Sequence, residues 1–166
     1  MPKATRAQTL EFLQENQLPF TEVQHQAVWT AHDPTGLEDP TAPVIKNLFL
    51  KRKKTNNFYL CLVVGQKKLN FKALAQQLHT SRSQLTFASP SELEEVLGLQ
   101  PGAVTPLGLL NDTQKQVTVL LDSDLSKLTQ IGIHPNVNTS TVFISYVNLL
   151  KLVEKTGHQF QTMELE

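Results

Sequence analysis

The sequence predicts one mixed α/β domain, and three observations carry that reading. The 166 residues are a comfortable length for one compact domain and too short for two ordinary ones. Hydrophobic residues make up 40% of the chain and charged residues 18%, which supplies a real core and argues against disorder. Runs with strand alternation are interspersed with runs of helical spacing, and neither an internal repeat nor an interdomain linker separates them. Residues 1–166 therefore read as a single domain.

Taken in order, Thr5 and Gln8 have the spacing of a capping box and open a helix expected to run to about Asn16, with Leu10 and Leu13 facing inward. Residues 20–23 alternate as a short strand. Residues 30–43, rich in Pro, Gly and Asp, read as loop. Two apolar runs over 44–50 and 58–64 read as strands of a hairpin joined by a polar turn over 51–57. Asn70 caps a helix that carries Phe71, Leu74, Ala75 and Leu78 on one face. Ser89, Pro90 and Glu92 form the next helix start, with a capping box and proline in the first turn, and Gly98 is its natural stop. A loop containing Pro101, Gly102 and Pro106 follows, then a strand over 117–121 and a short helical turn around Leu125. Residues 142–144 form a further strand. Ser145 caps a last helix with Tyr146, Leu149, Leu150 and Val153 on one face, closed by Thr156 and Gly157. Several of the strand pairs read as antiparallel.

Composition excludes several function classes. A single cysteine, Cys61, rules out an internal disulfide and a cysteine-rich zinc cluster, and its place in the apolar run 58–64 reads as a buried structural thiol. No apolar stretch approaches the ~20 residues of a membrane span, and the N-terminus leads into an amphipathic stretch, not a signal-peptide core. A cytoplasmic protein without membrane contact is expected. Fifteen basic and fifteen acidic residues give zero net charge, which argues against a long nucleic-acid footprint such as DNA and suits contact with one end of an RNA. The five histidines, His25, His32, His79, His134 and His158, are not spaced as metal pairs, so no metal is expected. No nucleophile elbow, phosphate-binding loop or dinucleotide fingerprint is present.

Three segments carry polar groups of chemical interest. Lys46 and Asn47 interrupt the apolar strand 44–50. A buried ammonium without a partner is costly, so Lys46 either points to solvent from a strand edge or serves a site. Gly102, Ala103, Val104, Thr105 and Pro106 shape a tight loop whose backbone N–H groups can face an oxyanion, or which is simply a turn. His134 begins a polar stretch, with Asn138 and Thr139, between two apolar runs, a position open to a structural or a catalytic role.

In combination these segments resemble one family. Lys46 through Leu50, followed by Lys51, Lys53 and Lys54, resembles its K-N-L-F-L strand and basic turn. Phe87-Ala88-Ser89-Pro90, Leu97-Gly98-Leu99 and Pro101 through Pro106 are similar to its F-A-S-P and L-G-L-x-P-G-x-V-T-P block, which Asn111-Asp112 continues. His134-Pro135 with Asn138-Thr139 matches a later signature. The family is the YbaK/prolyl-tRNA-synthetase-associated domain, in the branch of freestanding alanyl-tRNA(Pro) deacylases, and the resemblance spans about residues 20–158. It implies a mixed, largely antiparallel sheet or partial barrel flanked by helices. Residues 31–36 depart from it, being loop-like where many relatives carry an acidic helix beside the implied amino-acid pocket.

The resemblance implies trans-editing, the hydrolysis of the ester that joins a wrong amino acid to tRNA(Pro). Alanine is the first expectation, with serine and cysteine as alternatives and a non-catalytic module that binds tRNA or a synthetase as a different class. The implied partners are the mischarged acceptor end and prolyl-tRNA synthetase, and no organic cofactor is implied. Lys46 is implied to anchor the terminal phosphate or ribose and stabilise charge, and His134 to orient substrate or act as a base, its ordinary pKa being ~6.5. Asn47 and Asn138 are implied to bind substrate, and the loop from Gly102 to Pro106 to face the aminoacyl carbonyl. The run Lys51 to Lys54 is either a solvated hairpin tip or a contact to acceptor-stem phosphates.

Overall fold

The computed structural model describes residues 4–24, 45–65, 68–137 and 139–164. The expected helices form where their caps dictate. Helix α1 (Arg6–Glu15) starts on a reciprocal Thr5–Gln8 capping box, and α2 (Phe71–Gln77) on the Asn70 side chain. Helix α3 (Pro90–Leu97) is boxed by Ser89 and Glu92 and ends at Gly98, whose φ of 69° is the left-handed conformation that glycine adopts without strain. Helix α4 (Tyr146–Lys155) starts on Ser145.

The strands, in chain order, are β1 (Thr21–Gln24), β2 (Ile45–Arg52), β3 (Phe58–Val64), β4 (Leu85–Phe87), β5 (Val117–Asp122), β6 (Ile131–Ile133), β7 (Ser140–Ile144) and β8 (Phe160–Met163). They form a three-stranded antiparallel sheet in the order β1-β7-β6 and a five-stranded mixed sheet in the order β4-β2-β3-β5-β8. In the larger sheet the pairs β2–β3 and β2–β4 are antiparallel, while β3–β5 and β5–β8 are parallel. The parallel pairs follow from long crossovers, the first through α2, β4 and α3. The sheets are largely antiparallel, as expected, and they do not close into a barrel. The hairpin turn is shorter than the sequence suggested, because β2 runs on through Lys51 and Arg52 to meet β4.

Strand alternation sorts the core into two layers. Phe49, Leu60, Leu62, Val119 and Leu121 face the larger one, shared with the small sheet, α1, α3 and α4. Leu50, Cys61, Val63 and Leu120 face the smaller one, which α2 covers with Leu74 and Ala75. The central strands β3 and β5 are thus apolar on both faces, and each fully buried leucine on them contributes roughly 1.5–3 kcal/mol. Burial pushes the Cys61 thiol up to about 12, so it is an inert core group at neutral pH.

Candidate active site

Lys46 and Asn47 stand side by side on β2 and on opposite faces. Lys46 registers with Val63 and shares the face covered by α2, whereas Asn47 registers with Leu62 and shares the face of the larger core. Both are half-buried. The Asn47 Oδ1 is a buried acceptor with no hydrogen-bond partner, one of three such side-chain atoms among the described residues. A buried acceptor left in this state costs about 1–3 kcal/mol, so it marks a place where a donor is wanted. β4 pairs only with Leu50, Lys51 and Arg52, which leaves the outer edge of β2 at Lys46 and Asn47 without a neighbouring strand among the described residues.

The loop Gly102 to Pro106 is held from both ends. Gly102 has φ 87°, a left-handed position closed to most side chains without strain, and the Ala103 amide donates to the Gln100 carbonyl at 3.1 Å. Thr105 is fully buried and caps the 3-10 turn Pro106–Asn111, accepting from the Leu107 amide at 3.3 Å. Its hydroxyl donates to the His134 carbonyl at 2.6 Å. The structure therefore joins two of the segments singled out in the sequence, and it does so through a threonine that works inside the protein.

His134 is fixed on its other side as well. Its Nδ1 lies 3.1 Å from the Ser140 carbonyl, which can only accept. Nδ1 therefore carries the hydrogen, and in the neutral ring Nε2 is the acceptor. Ser140 is in turn held by its hydroxyl, which donates to Glu22 on β1 at 2.7 Å, and Glu22 pairs with Arg6 on α1. The hydrogen bond from Arg6 is the main reason the Glu22 carboxyl sits below its ordinary value. Sequence reading missed Arg6, Glu22 and Ser140, because the Ser140–Glu22 contact spans 118 residues and has no local signature. Glu22 offered one hint, since it is a carboxylate at an inward strand position opposite Val142.

The N-terminus clamps the same region. The Asn136 side chain donates to the Ala4 carbonyl at 3.0 Å, the Ala4 amide donates to Asn111 Oδ1 at 2.7 Å, and Asn111 donates to the Leu97 carbonyl at 2.8 Å. Asn138, along with His25 and His32, lies outside the described residues. Among the described residues no group of three metal-ligating side chains comes together. None of their helices is long and apolar enough to cross a membrane.

A second polar cluster is structural. His158 is buried between Asp112, at 2.9 Å from Nε2, and the Thr156 hydroxyl, at 2.9 Å from Nδ1. Burial alone would raise the Asp112 pKa. Hydrogen bonds from His158 and from the Gln116 and Val117 amides outweigh it and hold the carboxyl below its ordinary value. Lys51, expected in the turn, instead pairs with Glu92 and lies 5.8 Å from the Phe58 ring centroid, tying β2 to the start of α3. Glu92 is held below its ordinary value chiefly by that lysine.

Comparison with known proteins matches the chain to one family. Residues 30–152 match the model of the aminoacyl-tRNA editing domain. The chain is 33% identical over 154 residues to the prolyl-tRNA editing protein ProX of Acetoanaerobium sticklandii, covering 92% of this chain and 93% of that one. It is 34% identical over 160 residues to prolyl-tRNA synthetase associated domain-containing protein 1 of Danio rerio, covering 95% and 85%. The crystal structure of a candidate trans-editing enzyme for prolyl tRNA synthetase shares the fold, with a TM-score of 0.68 at 22% identity over 95% of both chains. The chain belongs to the aminoacyl-tRNA editing domain family.

Proposed function

We propose that this deacylase removes alanine wrongly attached to tRNA(Pro), acting in trans in the cytoplasm on a by-product of prolyl-tRNA synthetase. The observation that carries the reading is the bond from Thr105 to the His134 carbonyl, which sets a loop of backbone donors beside an oriented imidazole. An aminoacyl ester is already activated, so positioned water and donors for the developing oxyanion suffice. Water adds to the aminoacyl carbonyl, His134 Nε2 takes its proton, the bond from carbon to the ribose oxygen breaks, and that oxygen receives the proton. With the Ala103 amide committed to Gln100 and Thr105 fully buried, the Gly102 and Val104 amides are the loop's donors toward the carbonyl oxygen. Pro106 has no N–H and ends the row.

Lys46 and Asn47 flank the open edge of β2, one on each face. This supports a substrate that straddles the edge, with the Lys46 ammonium on the terminal phosphate or ribose. The orphaned Asn47 Oδ1 then accepts from the aminoacyl ammonium or a ribose hydroxyl. Asn138 is assigned to substrate binding on its motif alone. The need for a second pocket is physical. Missing methylenes change binding by only ~1–3 kcal/mol each, so a proline site cannot strongly reject alanine, whereas a smaller pocket excludes proline by overlap. Incubating the purified protein with tRNA(Pro) charged with alanine, serine, cysteine or proline tests the proposal. Alanine should be released fastest and proline hardly at all. Faster release of serine or cysteine would overturn the substrate, and no release from any of the four would overturn the activity.

A further inference from the structure

The neutral net charge conceals a segregation. Residues 40–91 contain nine of the fifteen basic residues and none of the fifteen acidic ones. The described residues of this segment form β2, its hairpin turn, β3, α2, the short 3-10 turn Arg82–Gln84 and β4. Lys51 in it is neutralised by Glu92 from α3. Lys53, Lys54, Lys68, Lys72 and Arg82 are exposed. They are also stitched together. The Lys53 amide donates to the Gln84 carbonyl at 2.8 Å, and the Arg82 guanidinium lies 4.5 Å from the Phe71 ring centroid, next to Lys72.

At the centre of this basic edge stands Phe87. It is 56% exposed, one of two exposed large apolar side chains among the described residues, and its ring meets Phe71 edge-on at 5.6 Å. Being on the outer strand β4, it has no strand beyond it among the described residues. Phe87 registers with Leu50, and Leu50 shares a sheet face with Lys46 four residues along β2, about 13 Å away at the rise of a strand.

We propose that the β4 edge and hairpin tip form the surface on which the acceptor end of tRNA lies, with Phe87 stacking on an unpaired base and Lys53, Lys72 and Arg82 meeting phosphates. An exposed aromatic set among exposed cations is the pairing that single-stranded nucleic acid uses, and an acidic protein or an anionic membrane would call for the cations alone. The geometry leads the unpaired end from Phe87, past the end of β4, along the outer edge of β2 toward Lys46. The identity of the RNA rests on the editing assignment; the surface itself does not.

Binding of the full chain to uncharged tRNA(Pro), followed by anisotropy across a salt series, tests this without any deacylation step. Phe87→Ala should weaken binding about tenfold, as loss of one stacked base does. The double variant Lys53→Glu/Lys72→Glu changes two exposed side chains, so the fold is preserved, and it should flatten the slope of log affinity against log salt by roughly 0.7–0.9 per lost phosphate contact. Lys151→Glu/Lys155→Glu on α4 serves as the control and should bind within about twofold of wild type. Wild-type binding by both test variants, or equal weakening by the α4 control, overturns the surface. So does loss of binding to anionic vesicles with tRNA affinity intact. A wild-type protein that binds tRNA through this edge yet releases no amino acid would refute the editing assignment and leave the surface standing.

Discussion

Replacing Thr105 by valine removes one hydroxyl from a fully buried site at nearly constant shape. Two hydrogen bonds go with it, the 2.6 Å bond to the His134 carbonyl and the 3.3 Å bond from the Leu107 amide. A net hydrogen bond is worth about 1 kcal/mol, and a buried group left unsatisfied costs ~1–3 kcal/mol. The Leu107 bond is long, so the total falls in the lower half of that sum, about 2–3 kcal/mol. At ~2–4 °C per kcal/mol for a domain of this size, the melting temperature should drop by roughly 5–10 °C. The catalytic effect should exceed the stability effect, because the loop and His134 lose their common tether, and an error of ~1 Å in position can cost 10²-fold in rate. Single-turnover deacylation well below the melting point should fall at least about tenfold. Thr105→Ser keeps both bonds, gives up one methyl worth about 0.8 kcal/mol, and should recover most of the rate. A Thr105→Val protein with wild-type melting and wild-type turnover would refute the tether.

Three other outcomes follow from the same contacts. Asp112→Ala leaves His158 Nε2 and the buried Val117 amide without their partner and should cost about 2–4 kcal/mol, at ~1–3 kcal/mol for a buried group left unsatisfied, read by denaturant unfolding; a loss below about 1 kcal/mol would show the cluster to be dispensable. Asp112 and Glu22 are both held below their ordinary values of 3.8 and 4.5, so the stability each contributes is fully present above those values and lost as the pH falls through the folded ones. Melting should accordingly be insensitive to these groups at neutral pH and decline below about pH 4.5, more shallowly in Asp112→Ala. Cys61, with its thiol near 12 and no exposed surface, should resist alkylation in the native protein and react at full rate in denaturant, and the rate of deacylation should be unaffected by Cys61→Ala.

What the sequence made legible was what is local. All four helix starts were readable because a cap lies within three residues of the amide it satisfies, as Thr5 does with Gln8 and Ser89 with Glu92. The central strands β3 and β5 were readable because burial on both faces writes a near-continuous apolar run, and β2 through its apolar residues Leu48, Phe49 and Leu50. The strands that escaped, β4, β6 and β8, are all outer strands of three or four residues. Leu85–Phe87 and Phe160–Met163 need only one partner and one covered face, so their composition carries little strand signal.

The candidate site divides the same way. Lys46, the Gly102–Pro106 loop and His134 were visible as unusual residues in their own segments. Their relations were not, because Thr105 meets His134 across 29 residues and Glu22 meets Ser140 across 118. Lys46 and Asn47, adjacent in sequence, are sent to opposite faces by the strand that carries them. Charge balance summed over the whole chain hid the basic edge for a related reason: the acidic residues that cancel it all lie outside residues 40–91.

The central claim is that Lys46 serves deacylation and not merely a strand edge. Single-turnover hydrolysis of Ala-tRNA(Pro), run beside Pro-tRNA(Pro), by wild type, Lys46→Ala and Lys46→Arg tests it most directly, with melting curves for all three. Lys46→Ala should remain folded, with a cooperative melting transition, and lose most of the alanine release. Lys46→Arg should not restore it, because a planar guanidinium does not take the place of a compact ammonium. A folded Lys46→Ala protein that releases alanine at the wild-type rate would contradict the assignment and move the chemistry to His134 and the Gly102–Pro106 loop.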